Sequence, residues 1–346
     1  MSRTPLVTVI MPVRNEGEII RESLGAVLAQ DYPREKTEII VVDGMSTDGT
    51  RAVVAGLQSG DPRITLIDNP RKIVPSAMNL GFARARGEII VRVDGHCRIA
   101  PDYVRRCVDH LLAGRVDGVG GPVRTIGETG VARTIALAMS SPFGVGGSAF
   151  RTVNDRTMLA DTVPFPAYTR SIMERAGPYD EEQVRNQDDE YNYRLRKLGA
   201  KILLAADVRS DYYSRSSIRS LWRQYYQYGY WKVRVLQKHP RQMKLRQFVP
   251  ASFVAALLAA AVSVPFAAQG AAALAAVAGA YCAAAIAAAV LTARREKMSM
   301  APLLALAFAT LHLSYGLGFL VGMIAFARMW GHSRPPHTIS QLSGTP

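Results

Sequence analysis

Asp94 and His96 stand one residue apart near the end of GEIIVRVDGHCRI, Gly87 to Ile99. A carboxylate oxygen and an imidazole nitrogen can together hold Mg²⁺ or Mn²⁺, with carboxylates favoured for such hard cations. The plain alternative is a tight turn carrying a surface histidine. Asp43 closes a second apolar run, EIIVV, and by itself is as readily a turn former. Asp188, Asp189 and Glu190 share the stretch RNQDDEYNYR. Adjacent carboxylates raise one another's pKa, which suits a general base. Acids in the first turn of a helix also merely complement its macrodipole, so both readings stand at this point.

The elements that must carry these residues follow from hydrophobic runs and their punctuation. Leu6 to Val13, Glu38 to Val42, Ile64 to Ile67 and Glu88 to Val93 read as strands, alternating with helical stretches. One such stretch runs to Gln30, and another from Pro75 to Arg86. Ser46, Thr47 or Asp48 is available to cap the helix after Asp43. Strands alternating with helices of this length imply βαβ units and a mostly parallel sheet. Ligands of such sheets bind outside the carboxyl ends of the strands, where Asp43 and Asp94 fall. Pro101 opens a further helix, and VDGVGGPVR reads as one further strand. From Ile126 to about Val163 the periodicity is poor, which points to a long functional loop shaping the pocket. Regular helix returns at RSIMERAG and at NQDDEYNYRLRKLGAKILLA, whose end is a short strand. SIRSLWRQYYQYGYWKVRVLQKHP is a long, basic, aromatic helix.

Charge is unevenly distributed along the 346 residues. No Asp, Glu, Lys or Arg occurs between Arg246 and Arg294, or between Lys297 and Arg328. Each gap exceeds the roughly 20 residues needed to cross a bilayer. The formal net charge of +14 then fits a basic face lying on anionic lipid. Nucleic acid is excluded as a partner, since the basic residues are scattered and no recognised binding motif is present. Cys97, Cys107 and Cys282 have no metal-type spacing and suit a reducing compartment. The N-terminus lacks the pattern of a cleaved signal peptide.

The ordered motifs VTVIMPVRNE, EIIVVDGMSTDGT, NLGFARARGEIIVRVDGH, GPYDEE and NQDDEYNYRLRKLGAKI resemble those of the family 2 glycosyltransferases. The resemblance covers about Val7 to Trp231 and is nearest to the succinoglycan-biosynthesis type. It implies a GT-A nucleotide-sugar fold, α/β with a mostly parallel central sheet, followed here by C-terminal transmembrane helices. By that resemblance Pro12, Val13, Arg14, Asn15 and Glu16 form the first nucleotide-binding loop. Asp43 accepts a hydrogen bond from the nucleotide base. Asp94 and His96 hold the metal, Mg²⁺ or Mn²⁺, with Asp94 also at the diphosphate. His96 stands where the family's Asp-x-Asp motif has its second Asp. Asp188 matches the catalytic base. Its usual Glu neighbour is Gln187 here, which leaves Asp189 as a rival. Gln224 opens a stretch like the acceptor-side Gln-x-x-Arg-Trp box, but Gln227 and Tyr228 replace Arg and Trp. That box accompanies processive polymerisation, so its loss implies one sugar per encounter.

These readings predict four segments: a glycosyltransferase domain over 1–215, a juxtamembrane helix over 216–246, apolar helices over 247–330 and a polar tail over 331–346. The expected activity is inverting transfer of one sugar from a nucleotide sugar, a UDP-sugar first among them. The acceptor is a polyprenyl-diphosphate-linked saccharide in exopolysaccharide or cell-surface glycan synthesis. Alternatives are a polyprenyl-phosphate glycosyltransferase and a catalytically silent membrane scaffold. The positive-inside rule places the catalytic domain in the cytoplasm, on a multi-pass protein of the inner membrane. Phe248 to Ala293 is expected to form two spans that turn near Gln269 and Gly270. Ala301 to Ala327 either crosses or lies in the interface, because His312, Ser314 and Gly316, Gly318 and Gly322 would need protein partners inside lipid.

Overall fold

Seven consecutive buried residues, Val7–Val13, form β1 near the middle of an eight-stranded sheet. They belong to a computed structural model that describes residues 4–153 and 155–330; the expected tail over 331–346 lies outside the described residues. After β1 come α1 (Ile20–Leu28), β2 (Thr37–Asp43), α2 (Thr50–Gly60), β3 (Ile64–Asp68), α3 (Val74–Arg84) and β4 (Ile89–Arg92). They are followed by β5 (Cys97–Ile99), α4 (Tyr103–Leu112), β6 (Gly118–Gly120) and β7 (Val123–Ile126). Three short helices then intervene: α5 (Gly130–Met139), α6 (Pro142–Val145) and α7 (Ala149–Thr152). The chain returns with β8 (Met158–Leu159), β9 (Ala167–Thr169), α8 (Arg170–Ala176), α9 (Gln187–Lys197), β10 (Ile202–Leu204) and β11 (Ser210–Tyr213). It ends in α10 (Ile218–Lys238), α11 (Val249–Ser263), α12 (Ala268–Ala293) and α13 (Ala301–Ala325).

Two compact units result. Among the described residues, one holds the chain up to Arg124 with Val153–Tyr213; the other holds Thr125–Thr152 with the chain from Ser214 to Trp330. In the first unit the sheet order is β3-β2-β1-β4-β9-β6-β10-β8. β1 pairs in parallel with β2 and β4, β2 with β3 and β6 with β10, while β9 and β8 run antiparallel to their neighbours. The mostly parallel sheet is therefore as predicted. Its inner strands are apolar on both faces because helices cover them. Ile10, Ile40, Val42 and Ile90 pack on Met78 and Phe82 of α3 and on Tyr191 and Leu195 of α9.

Pairing of β1 with β4 stops at Ile10 and Arg92, whereas β1 stays paired with β2 through Val13 and Asp43. The two strands diverge there, at the point where the strand order reverses, and a crevice opens at their carboxyl ends. The same divergence tolerates Pro12 in a central strand, because its missing N–H falls beyond the β4 ladder. VDGVGGPVR is not one strand: Pro122 has no N–H to donate, so β6 stays in the main sheet and β7 joins β5 and β11 in a small second sheet.

The second unit corrects two expectations. The stretch read as a pocket-shaping loop is mostly helical over 130–152 and belongs with the C-terminal helices. Its partners are far away in sequence, so nothing local announced it. The apolar region also divides differently. α11 has 15 residues, about 22 Å at 1.5 Å per residue, short of a bilayer core of about 30 Å. The turn falls between Ser263 and Ala268, beside Pro265, rather than at Gln269 and Gly270. Among the described residues, two helices are long and apolar enough to cross a membrane, Gln269–Ala293 and Met298–Ala325.

The polar and small residues of α13 do have protein partners. His312 Nε2 is 3.0 Å from the carbonyl of Phe143, which can only accept, so Nε2 carries the proton. Nδ1 then accepts from the Tyr281 hydroxyl at 2.9 Å. Ser314 Oγ donates to the Thr310 carbonyl at 2.6 Å. A Cβ at Gly318 or Gly322 would lie 2.1 or 2.6 Å from the carbonyl oxygen of Tyr226 or Tyr230 on α10, so the two helices touch backbone to backbone.

Candidate active site

The loop after β1 and the loop after β2 interlock through their own backbone. Asn15 N donates to Ser46 Oγ and Thr47 N donates to Asn15 Oδ1, both at 2.9 Å. Glu16 N donates to Thr50 Oγ1 at 2.8 Å and Gly17 N to Asp48 Oδ2 at 2.9 Å. Asp48 thus serves as a clamp between loops, and the N-cap position of α2 falls on Gly49. Asn15 and Met45 both adopt positive φ, at 54° and 56°. Such backbone is costly for a side chain-bearing residue and marks a shape held by its surroundings.

Asp43, predicted to meet the nucleotide base, is buried at the end of β2. Its carboxylate accepts from Ser46 N at 3.0 Å and from Arg51 at 2.7 Å, and Arg51 also reaches Asp68 at 2.8 Å. A base reading Asp43 would share it with that guanidinium. Pro12 and Val13 are buried strand residues, and Arg14 is exposed with a long 3.4 Å bond to the Lys72 carbonyl.

Asp94 and His96 sit at the crevice, each with a partner the sequence reading did not assign. Arg92 forks onto Asp94, Nε to Oδ1 at 2.7 Å and Nη2 to Oδ2 at 3.1 Å. Burial alone would raise the Asp94 carboxyl; the Arg92 guanidinium outweighs it and holds the group below its ordinary range. His96 Nδ1 lies 2.9 Å from Glu16 Oε1. Burial opposes the imidazolium, but the Glu16 carboxylate prevails and pushes His96 up to about 9. Gly95 permits this closure, since a Cβ there would stand 3.0 Å from Glu16 and 3.1 Å from Val13.

Among the described residues no three His, Cys, Asp or Glu side chains gather into a closed metal site. Asp94 and His96 nevertheless fit part of a divalent cation's shell. With Nδ1–H given to Glu16, Nε2 is the nitrogen left to ligate once a cation displaces its proton, an arrangement that second-shell carboxylates commonly impose on metal-binding histidines. The remaining ligands would be diphosphate oxygens.

Asp188 lies in the first turn of α9, whose entry is fixed by Asn186 in the left-handed region at φ 58°. Tyr191 of the same helix stacks on Tyr179 with centroids 3.9 Å apart. Asn79 pins Tyr179, accepting from its N–H at 2.7 Å and donating to its carbonyl at 3.0 Å. Burial raises the Asp188 pKa, the negative charge of Asp189 raises it further, and the Arg92 guanidinium counteracts both. Arg92 and Asp94 are thus near enough to act on Asp188 electrostatically, and the Glu16–His96 pair joins them through the charge of His96 acting on Asp94.

Gln224 belongs to the second unit. It is buried on α10, donates to the Tyr228 hydroxyl at 2.9 Å and accepts from Arg215 at 3.2 Å. Arg92 is the residue missed by sequence reading. Positions i and i+2 of a strand share a face, so an arginine two residues before Asp94 in an apolar run was the available clue.

The mostly parallel sheet, with its strand order reversing at β1 and β4, defines an α/β fold of the GT-A class. A solved mannosyltransferase of that class from Pyrobaculum calidifontis, in complex with GDP-Man and Mn²⁺, superposes with a TM-score of 0.55. The two share 24% identity over 90% of this chain and 88% of that one. Residues 8–176 match the family model Glycosyl transferase family 2. The succinoglycan biosynthesis protein ExoA of Rhizobium meliloti (strain 1021) is 29% identical over 322 residues, 92% of this chain and 96% of the relative. A dolichyl N-acetyl-α-D-glucosaminyl phosphate 3-β-D-2,3-diacetamido-2,3-dideoxy-β-D-glucuronosyltransferase of Methanococcus voltae is 29% identical over 240 residues, 67% of this chain and 74% of the relative. The chain belongs to the family 2 glycosyltransferases and is ExoA-like.

Proposed function

We propose that the protein is a membrane-anchored, inverting, metal-dependent glycosyltransferase that adds one sugar to a lipid-linked saccharide. The observation that carries this reading is that Asp94, held by Arg92, lies near enough to both His96 and Asp188 for their charges to act on one another. The similarity to ExoA and to the transferase acting on a dolichyl-phosphate-linked sugar supports the acceptor class. The apolar helices of the second unit support anchoring, with the catalytic unit on the cytoplasmic face of the inner membrane, where nucleotide sugars are made.

In this mechanism Asp188 takes the proton from the acceptor hydroxyl. The freed oxygen attacks the anomeric carbon from the face opposite the diphosphate, and the C–O bond to the diphosphate breaks with its electron pair staying on the phosphate oxygen. A bound Mg²⁺ or Mn²⁺ supplies positive charge for the leaving group. Arg92 keeps Asp94 ionised and oriented, and Glu16 keeps His96 turned with Nδ1 inward. The interlocked loops, with Asn15, Glu16 and Asp43, line the nucleotide side. The remnant of the acceptor box at Gln224, without its Arg and Trp, supports one sugar per encounter.

The test is release of free nucleoside diphosphate across a panel of UDP-sugars and GDP-mannose, with membrane extract as the acceptor source. Acceptor-dependent release that is lost in Asp94→Asn and Asp188→Asn supports the reading. Release unaffected by both substitutions would overturn it.

A further inference from the structure

The charge excess belongs almost entirely to the second unit. Its two segments carry fifteen Lys and Arg against two acids, Glu128 and Glu296, which is +13 of the chain's +14. Five of these cations are exposed on and after α10: Arg219, Arg223, Arg241, Lys244 and Arg246, with Trp222 and Leu245 exposed among them. All three tryptophans of the chain, Trp222, Trp231 and Trp330, lie on α10 or just past α13. Tryptophan rings concentrate at headgroup depth.

The contacts of α13 determine how this basic surface can meet a bilayer. α12 and α13 are consecutive helices, and the short connection between them, at the start of α13, carries Arg294, Arg295 and Lys297. The other end of α13 lies beside the end of α10 and the start of α11. There Gln237 Nε2 donates to the Phe326 carbonyl at 2.8 Å, Arg234 sits over the Phe326 ring at 5.7 Å, and Phe248 meets Phe319 at 5.8 Å. Arg241, Lys244 and Arg246 lie in the short segment between those two helices. The two basic clusters therefore stand at opposite ends of a 25-residue helix, about 37 Å apart. If α13 crossed the membrane, the clusters would fall on opposite sides, against the positive-inside rule.

α13 is also poorly exposed for a lipid-facing span. Half of its apolar window is buried in protein, against 11% for α12. Much of the cover comes from α10, which brings the buried Lys232 and Arg234, charges costly at bilayer depth. By contrast, α11 and α12 meet at an apolar tip, with Val262 67% and Phe266 84% exposed.

We infer that α10 and α13 lie along an anionic membrane surface as a basic, tryptophan-bearing platform, and that the α11–α12 hairpin alone enters the bilayer, tip first. Both basic clusters then face headgroup phosphates of one leaflet. The inference rests on the proposed membrane anchoring, and it makes the attachment one-sided.

The experiment uses the full chain with Cys282→Ala and a single added cysteine, Ser299→Cys or Ala327→Cys, in inner-membrane vesicles of either orientation. A membrane-impermeant maleimide should label both variants in inside-out vesicles and neither in right-side-out ones. Labelling of Ala327→Cys only in right-side-out vesicles, with Ser299→Cys only in inside-out ones, would show that α13 crosses and would overturn the inference. Release of the chain from membranes by alkaline carbonate would overturn the anchoring reading itself, a separate failure. For the headgroup preference, the purified chain is placed in phosphatidylcholine–phosphatidylglycerol vesicles in which one of the two lipids is brominated. Tryptophan fluorescence should be quenched more by the brominated anionic lipid, and Arg219→Gln with Arg223→Gln, Arg241→Gln and Lys244→Gln should reduce that difference. Equal quenching in the wild-type chain would refute the anionic preference.

Discussion

Replacing Arg92 by glutamine removes the fork on Asp94 while keeping a polar side chain of similar length. The side chains of Arg92 and Asp94 are 9% and 20% exposed, so water can only partly replace what is lost. Breaking a buried ion pair from one side costs about 3–5 kcal/mol, and the partial exposure of Asp94 places this pair near the low end, about 3 kcal/mol. Asp94→Asn should cost a similar amount, because it strands the guanidinium. The double variant strands neither charge and should cost no more than either single one, a coupling of about 3 kcal/mol. For a unit of this size 1 kcal/mol corresponds to about 2–4 °C in Tm, so each single variant should melt about 6–12 °C lower. The assay is thermal unfolding of the detergent-solubilised chain, following the transition that a nucleoside diphosphate with Mn²⁺ moves upward. If the two single shifts simply add in the double variant, the pair does not hold the site together and the role given to Arg92 is wrong.

Asp188→Asn should lower the chemical rate by at least ~100-fold with donor binding nearly intact, and Asp189→Asn should be mild; single-turnover rates alongside donor titrations separate the two, and the reverse ranking would make Asp189 the base. Because the Asp188 pKa is raised, the group protonates at a higher pH than an ordinary aspartate at about 3.9, so the acid limb of kcat should lie above that value; a limb at or below it counts against Asp188. EDTA should abolish turnover and Mn²⁺ restore it, and His96→Asp should retain part of the activity with its preference moved toward Mg²⁺, since carboxylate suits that ion better than imidazole does; full activity in EDTA would refute the metal's role. With excess donor the enzyme should lengthen each acceptor by one sugar, and a ladder of products would show that the altered box at Gln224 still supports processive addition.

Much of the first unit was legible because its information is local. The strands up to β4 are apolar runs closed by chemistry-bearing residues, and α9 announces itself by period and charge. β5, β8, β9 and β11 have only two to four residues each and exist through pairing with distant strands, which no window of sequence displays. The same limit hid α5 to α7. Candidate site residues were named one by one from type, position and family resemblance, but their partnerships were not. Glu16 was read as a nucleotide contact, whereas its carboxylate is engaged by a histidine 80 positions away. Arg92 reads in sequence as an interruption of a hydrophobic strand.

The two-segment make-up of the second unit also has a consequence in time. α5 is complete at Met139, yet its partner α13 begins only at Ala301, and the Phe143 ring and carbonyl wait for Phe308 and His312. At ribosomal speeds of about 5–20 residues per second the delay is roughly 8–30 s. Throughout it Ile135, Ala138 and Met139, fully buried at the end, have no finished surface to rest on. The first unit is equally incomplete, since β8 to β11 emerge only after this segment. Nascent chains arrested near residue 245 should therefore be cut by protease within 130–152, and full-length chains should resist cleavage there.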